Sequence, residues 1–187
     1  MDRHLKPSTL RLLIVCLLNI ISVIALFTSI SFADSTQFNE EELKAAFLFN
    51  FANFVSWPDS AFETSDSPLR YCILGDESLS TTLKIVIAGE KVNNRILTVR
   101  TNVPIRKMVS CHIIFVDKRY SNNLNAIVTE TEKRNILTVS DIDNFHKLGG
   151  MIRLSKVRNR LALIVNMRAV KEHNLKVSSK LLRLATL

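Results

Sequence analysis

The chain holds few residues of the types that carry enzymatic chemistry, and their spacing does not suit a catalytic or metal site. Beyond the amino-terminal segment three histidines remain, and none forms an HxH or HxxxH pair: His112, His146 and His173. His112 opens an apolar run typical of a buried strand, so we expect it to be structural and the other two to lie at the surface. Glycine-rich nucleotide motifs, GxSxG and SxxK do not occur in the sequence. The sequence therefore predicts a protein that is not an enzyme and has no metal ligands and no cofactor.

One polar segment lies where α/β domains bind ligands. Ser140 and Asp141 follow a short predicted strand, and the glycine pair Gly149-Gly150 comes shortly after them. These four residues form a candidate ligand crevice. The same pattern fits a helix cap by Asp141 with the glycines as a plain turn, and the sequence favours this simpler interpretation.

The amino terminus has the order of a secretory signal. Basic residues precede the uncharged run Leu12–Ala33, which ends in Ser-Phe-Ala before the polar Asp34. We expect cleavage between Ala33 and Asp34, so that residues 1–33 are a signal peptide and residues 34–187 form one exported domain. The run is long enough to span a bilayer, and an uncleaved membrane anchor is the alternative. A lipoprotein is disfavoured, because Val15 precedes Cys16 where a small residue is needed.

Two cysteines remain after cleavage, Cys72 and Cys111. An even pair in an oxidising compartment indicates one disulfide. Their separation is far from CxxC, and no histidine cluster accompanies them, so a zinc site or a thioredoxin-type redox motif is disfavoured.

Positive charge is concentrated at the carboxyl end. The chain has a formal net charge of +8, and residues 151–187 hold nine basic residues against the single acid Glu172. Because an exported protein does not meet nucleic acid, anionic lipid headgroups or an acidic protein surface are the better candidates for a partner. A solvated basic face is the simpler interpretation.

Hydrophobic periodicity predicts alternating strands and helices. Strands are predicted at Arg70–Leu74, Arg95–Arg100, His112–Val116, Ile136–Val139, Met151–Leu154 and Leu161–Val165. Helices are predicted at 38–56, Leu79–Ala88, Leu124–Glu132 and Arg168–Ala185, the last with a break near Asn174. This alternation predicts an α/β fold: a single layered domain with a mostly parallel central sheet, helices on both faces and an antiparallel edge hairpin.

The first predicted helix has an apolar stripe and one aromatic residue outside it. Leu43, Phe47, Phe51 and Phe54 fall on one face, whereas Phe49 projects on the opposite side near Asn53. A large aromatic side chain with no core behind it is typical of a protein interface. Phe49, Asn53 and Trp57 are therefore a candidate partner-binding surface, and packing of Phe49 under the carboxyl-terminal helix is the alternative.

Five segments together resemble the YfiR family of small periplasmic proteins. They occur in the family's order along the mature chain: Leu43–Pro58, Tyr71–Gly75, Cys111–Val116, Ile136–Leu154 and Leu161–Ala185. The first, an aromatic-rich helix ending in Trp-Pro, and the last, with its terminal SSKLLRLA, are the specific ones. Phe49, Asn53 and Ser56 depart from the residues common in the family, which concerns the choice of partner more than the fold.

The resemblance implies a regulator. YfiR-type proteins bind the periplasmic part of an inner-membrane diguanylate cyclase and repress it, which controls cyclic di-GMP signalling and biofilm formation. The family implies an outer-membrane lipoprotein as a further partner. A second copy of this chain, in a homodimer, is another candidate partner. Cys72 and Cys111 match the family's cysteine positions, where a structural bond is favoured over a redox switch. A periplasmic small-ligand sensor or binding module is the alternative function.

Overall fold

The computed structural model describes residues 39–157 and 160–186, so the predicted leader and its Ala33–Asp34 cleavage site lie outside the described residues. The helices are α1 (Glu40–Phe54), α2 (Glu77–Val86), α3 (Leu124–Thr131), α4 (Met167–Glu172) and α5 (Ser179–Leu182). The strands are β1 (Val55–Ser56), β2 (Leu69–Leu74), β3 (Lys91–Val92), β4 (Arg95–Thr101), β5 (Ile113–Val116), β6 (Leu137–Ser140), β7 (Ile152–Val157), β8 (Arg160–Val165), β9 (Lys176–Val177) and β10 (Ala185–Thr186). Among the described helices, none has the length and apolar character needed to cross a membrane.

The central sheet has eight strands in the order β10-β8-β7-β6-β5-β2-β4-β3. From β7 through β6, β5 and β2 to β4 the strands are parallel, because helical crossovers join them. The β7–β8 and β3–β4 pairs are antiparallel, and β10 adds two residues beside β8. The predicted α/β fold with a mostly parallel sheet and an antiparallel hairpin towards one edge is confirmed.

Side chains of the central strands point alternately into two cores. On β5, Ile113 and Phe115 join the core that contains α1, α2, α4 and α5 residues. Ile114 and Val116 join the second core, beneath α3 and the 3₁₀ helix Ile105–Ser110. A parallel strand that is buried on both faces has a continuous apolar sequence, and β5 has such a sequence. Helices therefore cover both faces of the sheet.

The buried face of α1 differs from the stripe that the sequence predicts. Its buried residues are Lys44, Ala45, Leu48, Phe51 and Ala52, whereas Phe47 and Phe54 are half-buried. The expectation that Phe49 has no core behind it is wrong, since Phe49 is half-buried and packs against the first core. The physical reason is that α1 packs along α2 as well as over the sheet, which widens its buried face.

The predicted carboxyl-terminal helix is replaced by two short helices and two short strands. Asn166 caps α4 through a side-chain bond to the Ala169 amide, and Ser178 caps α5 in the same way. Between them Asn174 adopts a left-handed conformation with φ +55°, and β9 then pairs antiparallel with β1. The expected break near Asn174 and the helix before it are confirmed, but the continuous helix predicted from Asn174 to Ala185 is wrong.

Candidate functional site

A polar cleft of about 310 Å³ lies at the carboxyl edge of β6. Its central group is the Lys44 ammonium of α1, which donates to Asp141 at 2.7 Å and lies 3.1 Å from Glu40. Glu40 also pairs with Lys156 at 3.1 Å, and Arg153 pairs with Asp143. The cleft is thus lined by interleaved charges of both signs, in the place where open α/β sheets bind ligands.

Lys44 is buried, with only 7% of its side chain exposed. Burial by itself lowers the pKa of a lysine, but the hydrogen bonds and negative charges of Asp141 and Glu40 outweigh it, so the pKa of Lys44 lies above its ordinary value. The ammonium is therefore charged at neutral pH, and it fixes the first turn of α1 to the edge of the sheet.

Of the four residues predicted for a ligand crevice, Asp141 lines this cleft and the other three do not. Ser140 is fully buried, where its hydroxyl donates to the Val116 carbonyl and accepts from the Ile142 amide. A Cβ on Gly150 would lie 2.2 Å from the Phe145 ring, so this glycine allows the turn to close over that ring. The structure gives Ser140 and Gly150 packing roles.

The simpler interpretation expected Asp141 to cap a helix of its own segment, and this expectation is wrong. Its second carboxylate oxygen accepts from the Lys118 amide at 3.0 Å, at the start of the 3₁₀ helix Lys118–Asn123 after β5. The carboxylate thus links α1, β6 and the segment after β5. The role of Lys44 was not predicted from the sequence, although its spacing to Leu48 and Phe51 follows the i, i+4, i+7 pattern of a buried face.

His112 is structural, as expected. Its Nδ1 accepts from the Arg70 amide at 3.0 Å, so Nε2 carries the proton and donates to the Ala61 carbonyl at 3.1 Å. The ring stacks on Phe62 with centroids 4.5 Å apart. Burial, together with the nearby positive charges, lowers the pKa of His112 to about 4. The imidazole is neutral at pH 7 and holds the loop before β2 against the sheet.

The other two histidines differ from each other. His173 is buried, and its Nδ1 lies 2.7 Å from the Ala169 carbonyl, so the prediction that it lies at the surface is wrong. His146 is half-buried. Within residues 39–157 and 160–186, no group of three or more His, Cys, Asp or Glu side chains is placed to hold a metal ion.

Cys72 and Cys111 form a disulfide, as predicted, with their Cα atoms 6.0 Å apart. Cys72 lies in the middle of β2, and Cys111 immediately follows the 3₁₀ helix Ile105–Ser110. Both side chains belong to the second core. The bond therefore attaches that 3₁₀ helix to the central sheet.

The residues of the candidate partner-binding surface have different environments. Asn53 is exposed and donates to the Phe49 carbonyl one turn earlier, at 3.4 Å. Trp57 is half-buried and packs against the first core, and its indole nitrogen is buried without a hydrogen-bond partner among the described residues. Asn53 thus offers an exposed polar group beside two partly buried aromatic side chains.

The comparisons with known proteins agree with the resemblance found in the sequence. Residues 41–186 match the YfiR/HmsC-like family, which covers α1 through β10. The search of curated proteins gave no match. Since the match extends over most of the chain, this protein belongs to the YfiR/HmsC-like family.

Proposed function

We propose that this chain is a periplasmic regulator that binds the periplasmic part of an inner-membrane diguanylate cyclase and represses it, and so controls cyclic di-GMP signalling and biofilm formation. The observation that carries the proposal is the family match over residues 41–186. The YfiR/HmsC-like family is regulatory rather than catalytic. A repressor of this kind acts by binding the inactive conformation of its partner more tightly than the active one.

Export is part of the proposal. Residues 1–33 are the cleavable signal peptide, and the mature domain begins at Asp34. Amino-terminal sequencing of the periplasmic protein tests this, and an intact Met1 in the membrane fraction would instead establish the membrane-anchored form.

The partner surface that we propose includes Phe49, Asn53 and Trp57. The exposed amide of Asn53 and the exposed parts of the two half-buried aromatic side chains can contact a cyclase, an outer-membrane lipoprotein or a second copy in a homodimer. Aromatic side chains of this kind often dominate interface energies, because they bury a large area with few rotatable bonds.

Deletion of the gene tests the regulatory function directly. Cyclic di-GMP extracted from the deletion strain should exceed that of the parent, and a plasmid copy should restore the parental level. Deleting the cognate cyclase as well should abolish the rise. Unchanged or lower cyclic di-GMP in the single deletion, under several growth conditions, would remove the repressor assignment.

A ligand sensor is the second candidate, and the charged cleft around Lys44 favours it. Its volume of about 310 Å³ suits a small polar molecule. Thermal unfolding in the presence of a panel of small charged metabolites tests this function. A ligand that binds the folded state only must raise the melting temperature. A rise that persists after Lys44→Met would place the ligand elsewhere.

A further inference from the structure

Most of β4 forms an open edge of the central sheet. On one side, Leu97–Thr101 pairs with Leu69–Ile73 of β2 along its whole length. On the other side, β3 pairs only with Arg95 and Ile96. No other strand among the described residues pairs with β4. An open strand edge is a template for pairing with another extended chain.

The hydrogen-bond pattern shows which backbone groups of β4 face outward. The Asn102 amide donates to the Ile73 carbonyl, so even-numbered residues of this segment point their backbone groups towards β2. Leu97, Val99 and Thr101 therefore direct their N–H and C=O groups away from the sheet.

A groove of about 550 Å³ lies beside the carboxyl end of this edge, and its lining contains cations but no carboxylate. The cations are Arg100, Arg106 and Lys107. Apolar contacts come from Val103 and Val109, and Val109 is 43% exposed. The groove is therefore positively charged and has apolar side chains in its lining.

The two walls of the groove are fixed relative to each other. Arg100 of β4 donates to the Ser110 hydroxyl of the 3₁₀ helix at 3.2 Å. Beneath them Cys72, the β2 partner of Arg100, is bonded to Cys111, which follows Ser110. A preformed groove binds an extended segment without a further ordering cost on its own side.

We propose that the β4 edge binds an extended acidic peptide segment of a partner protein. The segment pairs with the outward backbone groups of Val99 and Thr101, and its acidic side chains contact Arg100, Arg106 and Lys107. Backbone pairing supplies affinity and the charges supply selectivity, as in other cases of strand addition. This inference deepens the proposed function by assigning a surface for partner recognition.

Fluorescence anisotropy with two labelled octapeptides tests the inference on the mature domain, residues 34–187. One probe alternates glutamate and valine, and the other alternates lysine and valine. The glutamate peptide should bind at least about tenfold more tightly, because only it complements the basic groove. Its binding should perturb the Val99 and Thr101 amide signals in NMR spectra.

Two variants and two matched controls locate the binding. Val99→Pro removes an outward N–H but no hydrogen bond of the sheet, so the variant should fold. It should bind the glutamate peptide at least about tenfold more weakly than the parent. The control Val99→Ala keeps the N–H donor and should bind within about twofold of the parent. The triple variant R100E/R106E/K107E should lose affinity for the glutamate peptide to a similar degree. K171E/K180E/R183E, which reverses three exposed charges of the carboxyl-terminal segment, should not.

Several outcomes overturn the inference. These are equal binding of both peptides, undiminished binding to Val99→Pro, or a domain that forms dimers through β4 and excludes the peptide. A variant that loses peptide binding but still represses the cyclase would overturn this inference and leave the proposed function standing. Unchanged cyclic di-GMP in the deletion strain would overturn the proposed function and leave the peptide measurements standing.

Discussion

Acidification should destabilise the domain through His112. The unfolded chain protonates this histidine at its ordinary pKa of 6.5, whereas the pKa in the folded domain is about 4. Between these values the unfolded state binds more protons than the folded state. The stabilisation is therefore complete above pH 6.5 and is lost progressively as the pH falls towards 4.

The magnitude follows from the two pKa values. Their difference corresponds to about 3 kcal/mol of unfolding free energy, of which about 2.5 kcal/mol is lost between pH 7.5 and pH 4.5. The structural cause is that both ring nitrogens are engaged in the neutral form. A protonated Nδ1 cannot accept from the Arg70 amide, and it would carry a charge near Arg70 and Arg95.

Urea unfolding of the oxidised protein at pH 7.5, 6, 5 and 4.5 measures the effect. The range stops at pH 4.5 because two carboxylates also contribute to stability. Cationic partners lower the pKa values of Glu40 and Asp117, so their contribution to the unfolding free energy is lost mainly below pH 4.5. The pKa of His146 is also lowered, by burial and by the charges of Lys147 and Arg153. His112→Gln retains His146 and removes only the contribution of residue 112.

The comparison of the two proteins decides the outcome. The variant should be less stable at pH 7.5, but its unfolding free energy should fall by about 2.5 kcal/mol less than that of the parent between pH 7.5 and 4.5. Equal slopes in parent and variant would refute the assignment of the buried neutral imidazole as the source of acid sensitivity.

Three further changes test other parts of the structure. Replacing both disulfide cysteines by alanine should lower the unfolding free energy by about 2–5 kcal/mol in urea titrations, and two free thiols in the exported parent protein would contradict the bond. Lys44→Ala should lower the unfolding free energy by about 2–4 kcal/mol because Asp141 loses its buried counterion, and adding Asp141→Asn should recover part of that stability. Phe49→Ala should cost about 1–3 kcal/mol because the ring packs on the core, whereas the exposed control Asn53→Ala should change stability by less than about 0.5 kcal/mol. Near-equal melting temperatures for these last two variants would contradict the packing of Phe49.

The parts of the fold that local patterns determine could be predicted from the sequence. The apolar run of β5 indicates a strand buried on both faces, and the β-α alternation indicates a parallel sheet. The pairing of β1 with β9 could not be predicted. Each strand has two residues, and the pair forms only because distant segments are brought together by the rest of the fold.

The candidate site was predictable only in part. Asp141 was found because it follows a strand, but its partner Lys44 lies far away in sequence on a helix where a lysine is ordinarily solvated. The position of Phe49 was misjudged because a helical periodicity shows one buried stripe. It cannot show that other helices pack on adjacent faces of α1, as α2 and α5 do.

The disulfide also determines what a single cut in the chain does. Cys72 and Cys111 enclose α2, β3, β4 and the 3₁₀ helix Ile105–Ser110 in one covalent ring. A protease that cleaves one peptide bond within this ring leaves both fragments attached through the sulfur bridge. The nicked protein would migrate as an intact chain on a denaturing gel until a reductant is added, and it would keep every strand of the sheet in the same molecule.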